Sequence, residues 1–152
     1  MTATITLAFL HHLAAFVVFA ALTVELVVLR NELTVGSARS VLRLDAAYGI
    51  AATVLLVAGL LRVFYTEKGA AYYFESGTFL AKLALFIVVG VLSIYPTMKF
   101  LGWRSALRED RLPVFDAGTK RTVRMLIHIE LTLIVVILLL APMMARGIGY
   151  FG

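Results

Sequence analysis

The chain has 152 residues, of which 62% are hydrophobic and 15% are charged, and its formal net charge is +5. A soluble globular protein is about half apolar and about a quarter charged, so this composition excludes an ordinary soluble domain and indicates a membrane protein. The basic residues stand in blocks between apolar runs, which argues against a nucleic-acid partner, and the lack of cysteine excludes disulfides and thiolate metal sites.

Four apolar runs predict transmembrane helices, at about residues 4–29, 46–64, 78–95 and 123–145. Each is close to the ~20 residues that cross a hydrocarbon core of ~30 Å. The third run ends before Pro96, and the sequence leaves open whether its helix continues past that residue. No run shows the period-two alternation of a membrane strand. The sequence therefore predicts an all-α protein, with a single four-helix transmembrane domain over residues 1–152 and the lipid bilayer as its first partner.

The first run contains "FLHHLAAFVVFAALTVELVVLR", with His11 and His12 near its start and Glu25 near its end. An ionisable group inside a membrane costs ~2.5–3.5 kcal/mol on insertion scales and usually faces the bundle interior. His11 and Glu25 are 14 residues apart, which places them only about 40° apart around a helix. His12 instead shares a face with Phe16 and Phe19. The two histidines therefore cannot both point at the centre of the bundle.

The loops differ in charge. Nine basic residues lie between the first and second runs or between the third and fourth, and Arg124 at the start of the fourth run makes ten on that side of the membrane, whereas three lie on the other side. The positive-inside rule then predicts a multi-pass protein of the bacterial inner membrane with both termini outside the cytoplasm. The only long loop, about residues 102–122, suggests a short surface helix before Pro113 and a turn at Ala117 and Gly118.

Helical rise places the buried polar residues in two layers. The outer layer contains His11, His12, Arg62, Tyr65 and Lys82. The inner layer contains Glu25, Arg43, Asp45, His128 and Glu130. Simpler interpretations stay open: an interfacial histidine without a ligand, a lysine or arginine that reaches the headgroups, or a structural pairing of Glu25 with Arg43 or His128.

His128 and Glu130 are about 200° apart on their helix, so both cannot point inward. Either one extends to the interface or one faces a second subunit, and we expect a homodimer. A haem held by both His12 and His128 within one bundle is disfavoured, because these residues would differ by roughly 14 Å in depth. A haem with one histidine ligand remains, as does a haem held by His11 or His12 together with another group of the outer layer. A zinc site has less support, since there is no His-x-x-x-His pair.

The segments "HHLAAFVVFAAL", "RLDAAYGI" and "FLAKLALF" resemble an uncharacterised family of small bacterial four-helix membrane proteins. More distantly, the first and third runs resemble the HemJ-type protoporphyrinogen oxidases, four-helix membrane proteins with bound haem b. That resemblance implies haem b as cofactor and functional roles for His12, as the iron ligand, and Lys82. The chain departs from the HemJ pattern where Glu25 and Phe19 stand in place of aromatic and tryptophan residues.

We therefore expect a haem b or related tetrapyrrole in the outer half of the bundle, with His12, or else His11, as axial ligand and with Lys82 and Arg62 paired to propionates. Phe16, Phe19 and Phe86 are candidates to flank the macrocycle. The corresponding reaction is an oxidoreductase step that takes electrons or hydride from a porphyrinogen-like substrate and passes them toward quinone. One alternative is a transport or proton-relay protein using Glu25, His128 and Glu130. Another is a structural or assembly subunit.

Overall fold

Six α-helices and one π-helical turn make up the computed structural model, which describes residues 2–66 and 69–152. The helices are α1 (Thr2–Arg30), α2 (Val35–Leu61), α3 (Ala70–Phe74), α4 (Gly77–Leu101), α5 (Arg104–Arg108) and α6 (Ala117–Ala145), and the π-helical turn Arg62–Thr66 continues α2. Four helices, α1, α2 with its turn, α4 and α6, are long and apolar enough to cross a membrane. The all-α architecture with four spanning helices is therefore confirmed.

The spanning helices are longer than the apolar runs because polar residues cap them outside those runs. Thr34 and Ser37 form a reciprocal capping box, in which each side chain accepts a hydrogen bond from the other's backbone N–H, and α2 therefore starts at Val35. Asp116 caps α6 by accepting from the Thr119 N–H at 2.9 Å. The turn predicted at Ala117 and Gly118 is therefore wrong, because this cap makes those residues the first turn of α6.

The helices associate as two pairs. α1 packs most extensively on α2 and α4 on α6, and α1 also contacts α6, whereas α2 and α4 make few contacts with each other. The buried face of α1 recurs every three or four residues and contains Ala14, Val18, Ala21, Leu22, Glu25, Leu26 and Leu29. Because α2 and α4 stay apart, one side of the bundle has a gap along much of its length.

The two ends of the bundle differ. We call the end that carries Thr2 and Gly152 the terminal end, and the opposite end, with residues 31–34 and 102–116, the loop end. At the terminal end, the last residues of the chain bond to the start of α4, since the Gly77 N–H donates to the Gly149 carbonyl at 2.9 Å and the Phe151 N–H donates to the Glu75 carbonyl at 3.0 Å. We call residues 146–152 with Glu75 and Gly77 the C-terminal clasp.

At the loop end, α5 is held against α2. The short helix predicted before Pro113 is confirmed as α5. Arg39 of α2 donates to the Leu107 carbonyl at 2.8 Å and pairs with Asp110 at 2.9 Å. Trp103 is buried between the rings of Phe100 and Phe115, each with its centroid 5.0 Å away. These contacts fix the connection between α4 and α6 and close this end of the bundle.

Candidate functional site

A cavity of about 1030 Å³ occupies the gap between α2 and α4, and α1 and α6 complete its walls. Its walls are apolar for most of their length, and α2 contributes the small residues Gly49, Thr53 and Gly59. Along α4 the lining runs from Phe79 to Leu101, which is roughly 30 Å at 1.5 Å per residue. The cavity is therefore a long slot that follows most of the membrane depth.

Four basic side chains from three elements meet at the terminal end of this cavity. They are His11 and His12 of α1, Arg62 of the π-helical turn and Lys82 of α4. Among the lining residues that the structure describes, the only acidic one is Asp45, toward the loop end. The structure thus brings together four of the five residues predicted for the outer layer. Tyr65 is not among them, because it is 80% exposed and does not line the cavity.

His11 is half-buried and joins α1 to α2. Its Nδ1 lies 3.1 Å from the Leu55 carbonyl oxygen, and its ring packs so closely on Gly59 that a Cβ there would lie 3.0 Å from Cε1. A carbonyl oxygen only accepts, so Nδ1 carries the hydrogen and Nε2 keeps its lone pair. Gly59 therefore provides the space that lets the imidazole enter the helix pair.

His12 lies at the lipid-facing edge of the cavity and bonds within its own helix. Its Nδ1 is 2.6 Å from the Ala8 carbonyl oxygen, so Nε2 again keeps its lone pair. Phe16 is 70% exposed, and neither it nor Phe19 lines the cavity. The expectation that these two rings flank a macrocycle bound in this cavity is wrong, because neither ring lines its walls. Phe86 does line the cavity.

Lys82 is half-buried, and its side chain has no hydrogen bond or ion pair with any residue that the structure describes. Its face of α4 continues with Phe86, Val89, Ser93 and Thr97, all of which line the cavity. The spacing of four, three, four and four residues keeps them on one side of the helix. An intramembrane ammonium group without a counter-charge is a candidate for binding an anion.

The predicted inner layer divides in two. Glu25, Asp45 and Glu130 are buried in the bundle, whereas Arg43 and His128 are exposed on its outside. The pairing of Glu25 with His128 or Arg43 is wrong, because His128 turns outward and its Nδ1 lies 3.0 Å from the Arg124 carbonyl of its own helix. The angle of about 200° between His128 and Glu130 agrees with one outward and one inward side chain.

Sequence reasoning assigned no role to three polar residues near Asp45, although it placed Ser93 on the same helical face as Lys82. Tyr48 is buried one turn after Asp45 on α2, and it lies near Ser93 of α4. Thr97 donates to the Asp45 carboxylate at 2.7 Å. The signal for Ser93 and Thr97 was their helical spacing from Lys82, and the signal for Tyr48 was its spacing of three from Asp45. Among the described residues, no group of three His, Asp or Glu side chains is arranged to hold a metal ion.

Comparison with family profiles gives a match over residues 3–149 to a family described as "Predicted membrane protein (DUF2214)". The chain belongs to the DUF2214 family. This confirms the resemblance to an uncharacterised family of membrane proteins, while the resemblance to HemJ-type oxidases stays a prediction. A search of curated proteins and a search of solved structures gave no significant match. For this DUF2214 protein, a function must therefore be argued from the cavity and its side chains.

Proposed function

We propose that this DUF2214 protein binds, within the bilayer, a large apolar molecule that carries carboxylate groups, and that a tetrapyrrole such as haem b is that molecule. The observation that carries the proposal is the convergence of His11, His12, Arg62 and Lys82 at one end of an apolar cavity of about 1030 Å³. Apolar walls with a few polar groups at fixed positions are typical of cofactor sites.

The side chains at the terminal end suit both the propionate carboxylates and the iron of a haem. Lys82 and Arg62 supply the positive charges that carboxylates require. Both cavity histidines keep Nε2 available, since backbone carbonyls hold their Nδ1 hydrogens, and this is the arrangement found in metal-bound histidines. We favour His12 as the iron ligand, because His11 is engaged between α1 and α2. A bound haem would supply one-electron chemistry at its iron.

The length of the cavity favours a second candidate ligand, as an alternative to haem. The slot continues from Lys82 to Thr97, roughly 22 Å along α4. Four of its basic side chains lie at its terminal end, and Arg104 is the basic lining residue at its loop end. A chain-like amphiphile, such as an anionic lipid or an isoprenoid quinone, would place its tail there. A quinone partner and the oxidation of a porphyrinogen stay predictions, and both depend on the occupant of this cavity.

The proposal is tested by adding haem to the protein purified in detergent and in lipid discs. We expect a saturable Soret band with one haem per chain. His12→Ala should shift or abolish that band, and Lys82→Ala should weaken haem retention with the helical content unchanged. His128→Ala is the matched control, because its imidazole lies outside the cavity on α6.

An equal effect of His128→Ala would mean adventitious binding and would overturn the haem assignment. The same conclusion follows if the wild-type protein binds no haem. Mass spectrometry of co-purified lipids then decides whether an anionic chain-like amphiphile occupies the cavity, with Lys82→Ala expected to release it. If Lys82→Ala releases nothing in either assay, the binding function itself is wrong.

A further inference from the structure

Three buried carboxyl groups on three different helices lie in the loop-end half of the bundle. Glu25 of α1 is 1% exposed, Glu130 of α6 is 0% exposed and Asp45 of α2 is 7% exposed. They lie close enough to act electrostatically on one another. Glu25 and Glu130 belong to the buried faces on which α1 and α6 pack, so their side chains are fixed inside the protein. We call these three residues the carboxyl cluster.

The cluster lacks partners that would satisfy three negative charges. Oε1 of Glu25 and both carboxyl oxygens of Glu130 have no hydrogen-bond partner within the described residues. The charged groups that act on Glu25 are Asp45 and Glu130, which are themselves acidic.

The other helices add little positive charge. From α2, Tyr48 faces the cluster, and α4 contributes the hydroxyl groups of Ser93 and Thr97. At the start of α5, Arg104 acts on Asp45. On α6, Arg124 has a buried Nε without a partner among the described residues. The two glutamates are therefore left with acidic and neutral neighbours.

Carboxylates in such a place must bind a cation or hold protons. Each ionised group inside a membrane costs ~2.5–3.5 kcal/mol on insertion scales, and neighbouring carboxylates add mutual repulsion. The described residues contain no group arranged to hold a metal ion. Carboxyl groups that share a site relieve the repulsion by sharing protons, and they then titrate as a unit.

We propose that Glu25, Asp45 and Glu130 form a proton-exchange site and that Asp45 passes protons between the two glutamates and the cavity. In each transfer an O–H bond of a glutamic acid breaks, an O–H bond forms on Asp45 and no oxidation state changes. Since the described residues show no hydrogen bond between these carboxyl groups, the proton is relayed by an intervening water molecule. Asp45 is suited to this role because it lines the cavity, as do Tyr48, Ser93 and Thr97, whereas the glutamates do not. The site does not depend on the identity of the molecule that the cavity binds.

Infrared spectroscopy of the protein in lipid discs tests the proposal. The carbonyl stretch of a protonated carboxyl group is separate from carboxylate bands, and it shifts when the proton is replaced by deuterium. We expect a protonated band that loses intensity in both Glu25→Gln and Glu130→Gln. Glu32→Gln, at an exposed position between α1 and α2, is the control and should leave the band unchanged.

Asp45→Asn tests the path. After transfer to deuterated buffer, we expect this variant to slow the shift of the glutamate band at least ~10-fold, because it removes a general acid and base. A band unaffected by both glutamine substitutions would overturn the site, and unchanged exchange in Asp45→Asn would overturn the path. If one glutamine variant does not fold, the other still decides whether the site holds protons.

Discussion

At the residue scale, the position of the His11 imidazole depends on the absence of a side chain at Gly59. The imidazole enters the α1–α2 pair because Gly59 has no side chain, and it then bonds to the Leu55 carbonyl. Other glycines of the cavity wall have no such neighbour, since a Cβ at Gly49 would meet nothing within 4 Å. Two glycines on one helix therefore have different physical reasons to be there.

Gly59→Ala should move the His11 ring and weaken its bond to Leu55. The new Cβ would lie 3.0 Å from Cε1 and 3.3 Å from Nδ1, so we expect a loss of ~1–3 kcal/mol from overpacking. Gly49→Ala is the matched control and should be neutral or stabilising, by up to ~1 kcal/mol, because alanine favours a helix interior. Thermal unfolding in one detergent measures both. Equal melting temperatures for the two variants would contradict the close contact at Gly59.

Asp116 makes the start of α6 sensitive to acid. Hydrogen bonds from the Thr119 hydroxyl and N–H lower the pKa of Asp116 below its ordinary value of 3.8. A lowered folded-state pKa stabilises the fold above the ordinary value, and that stabilisation is lost as the pH falls through the folded-state pKa. Asp116→Asn keeps a capping side chain but cannot titrate, so its melting temperature should fall less on acidification than that of wild type. A parallel fall in both proteins would show that this cap does not titrate with folding.

At the element scale, the existence of the spanning helices could be predicted from hydropathy, but their ends could not. A backbone that crosses lipid must satisfy its own hydrogen bonds, so a long apolar run has few alternatives to a helix. The ends depend on single polar caps such as Thr34 and Asp116, which stand outside the apolar runs. Hydropathy also gives no sign of the π-helical turn that carries Arg62 to the cavity.

For the candidate site too, the sequence predicts some features and not others. Depth could be predicted from helical rise, which is why His11, His12, Arg62 and Lys82 were grouped correctly. The direction of each side chain could not, because it depends on how neighbouring helices pack. The spacing of His128 and Glu130 predicts that their side chains point in different directions, but it does not predict which one is buried. The cavity could not be predicted from the sequence either, because it results from the distance between α2 and α4.

The C-terminal clasp includes a hydrogen bond and a ring contact made by one phenol, that of Tyr150. The Tyr150 hydroxyl donates to the Glu75 carboxylate at 3.0 Å, and this hydrogen bond raises the pKa of Tyr150. Tyr150 also stacks on Tyr72, with ring centroids 4.7 Å apart.

Tyr150→Phe should keep the stacking and lose the hydrogen bond. We expect faster hydrogen exchange of the Gly77 and Phe151 amides, which bond across the clasp. Tyr65→Phe is the control, because that side chain is 80% exposed. Unchanged exchange in Tyr150→Phe would show that the backbone bonds hold the clasp without the phenol.

At the scale of the whole molecule, four antiparallel spanning helices place both termini at one end. The ten basic residues at or near the loop end, against three on the other side, predict that the terminal end lies outside the cytoplasm. A reporter that is active only in the cytoplasm should therefore be inactive when fused to Gly152. A matched fusion within the loop between α4 and α6 should be active, and the reverse pattern would overturn the orientation.

The homodimer also stays a prediction at this scale. The sequence supports a homodimer because one bundle is not expected to bury both His128 and Glu130. The chain by itself shelters Glu130, which is fully buried, and leaves the imidazole of His128 on the outside of α6. An outward histidine bonded to its own helix needs less protection from lipid than an outward carboxylate. The need to bury both side chains is therefore a weaker argument for a second subunit.

The separation of α2 from α4 also determines the solvent from which a ligand would enter. Exposed side chains such as Ile50 and Leu60 stand at the cavity wall, so the slot is open to the surrounding acyl chains along its side. Under the proposed binding function, a ligand would enter by diffusing within the membrane plane and replacing a lipid tail. Its occupancy would then depend on its mole fraction among the lipids, and an affinity expressed per litre of buffer would change with the amount of membrane in the assay.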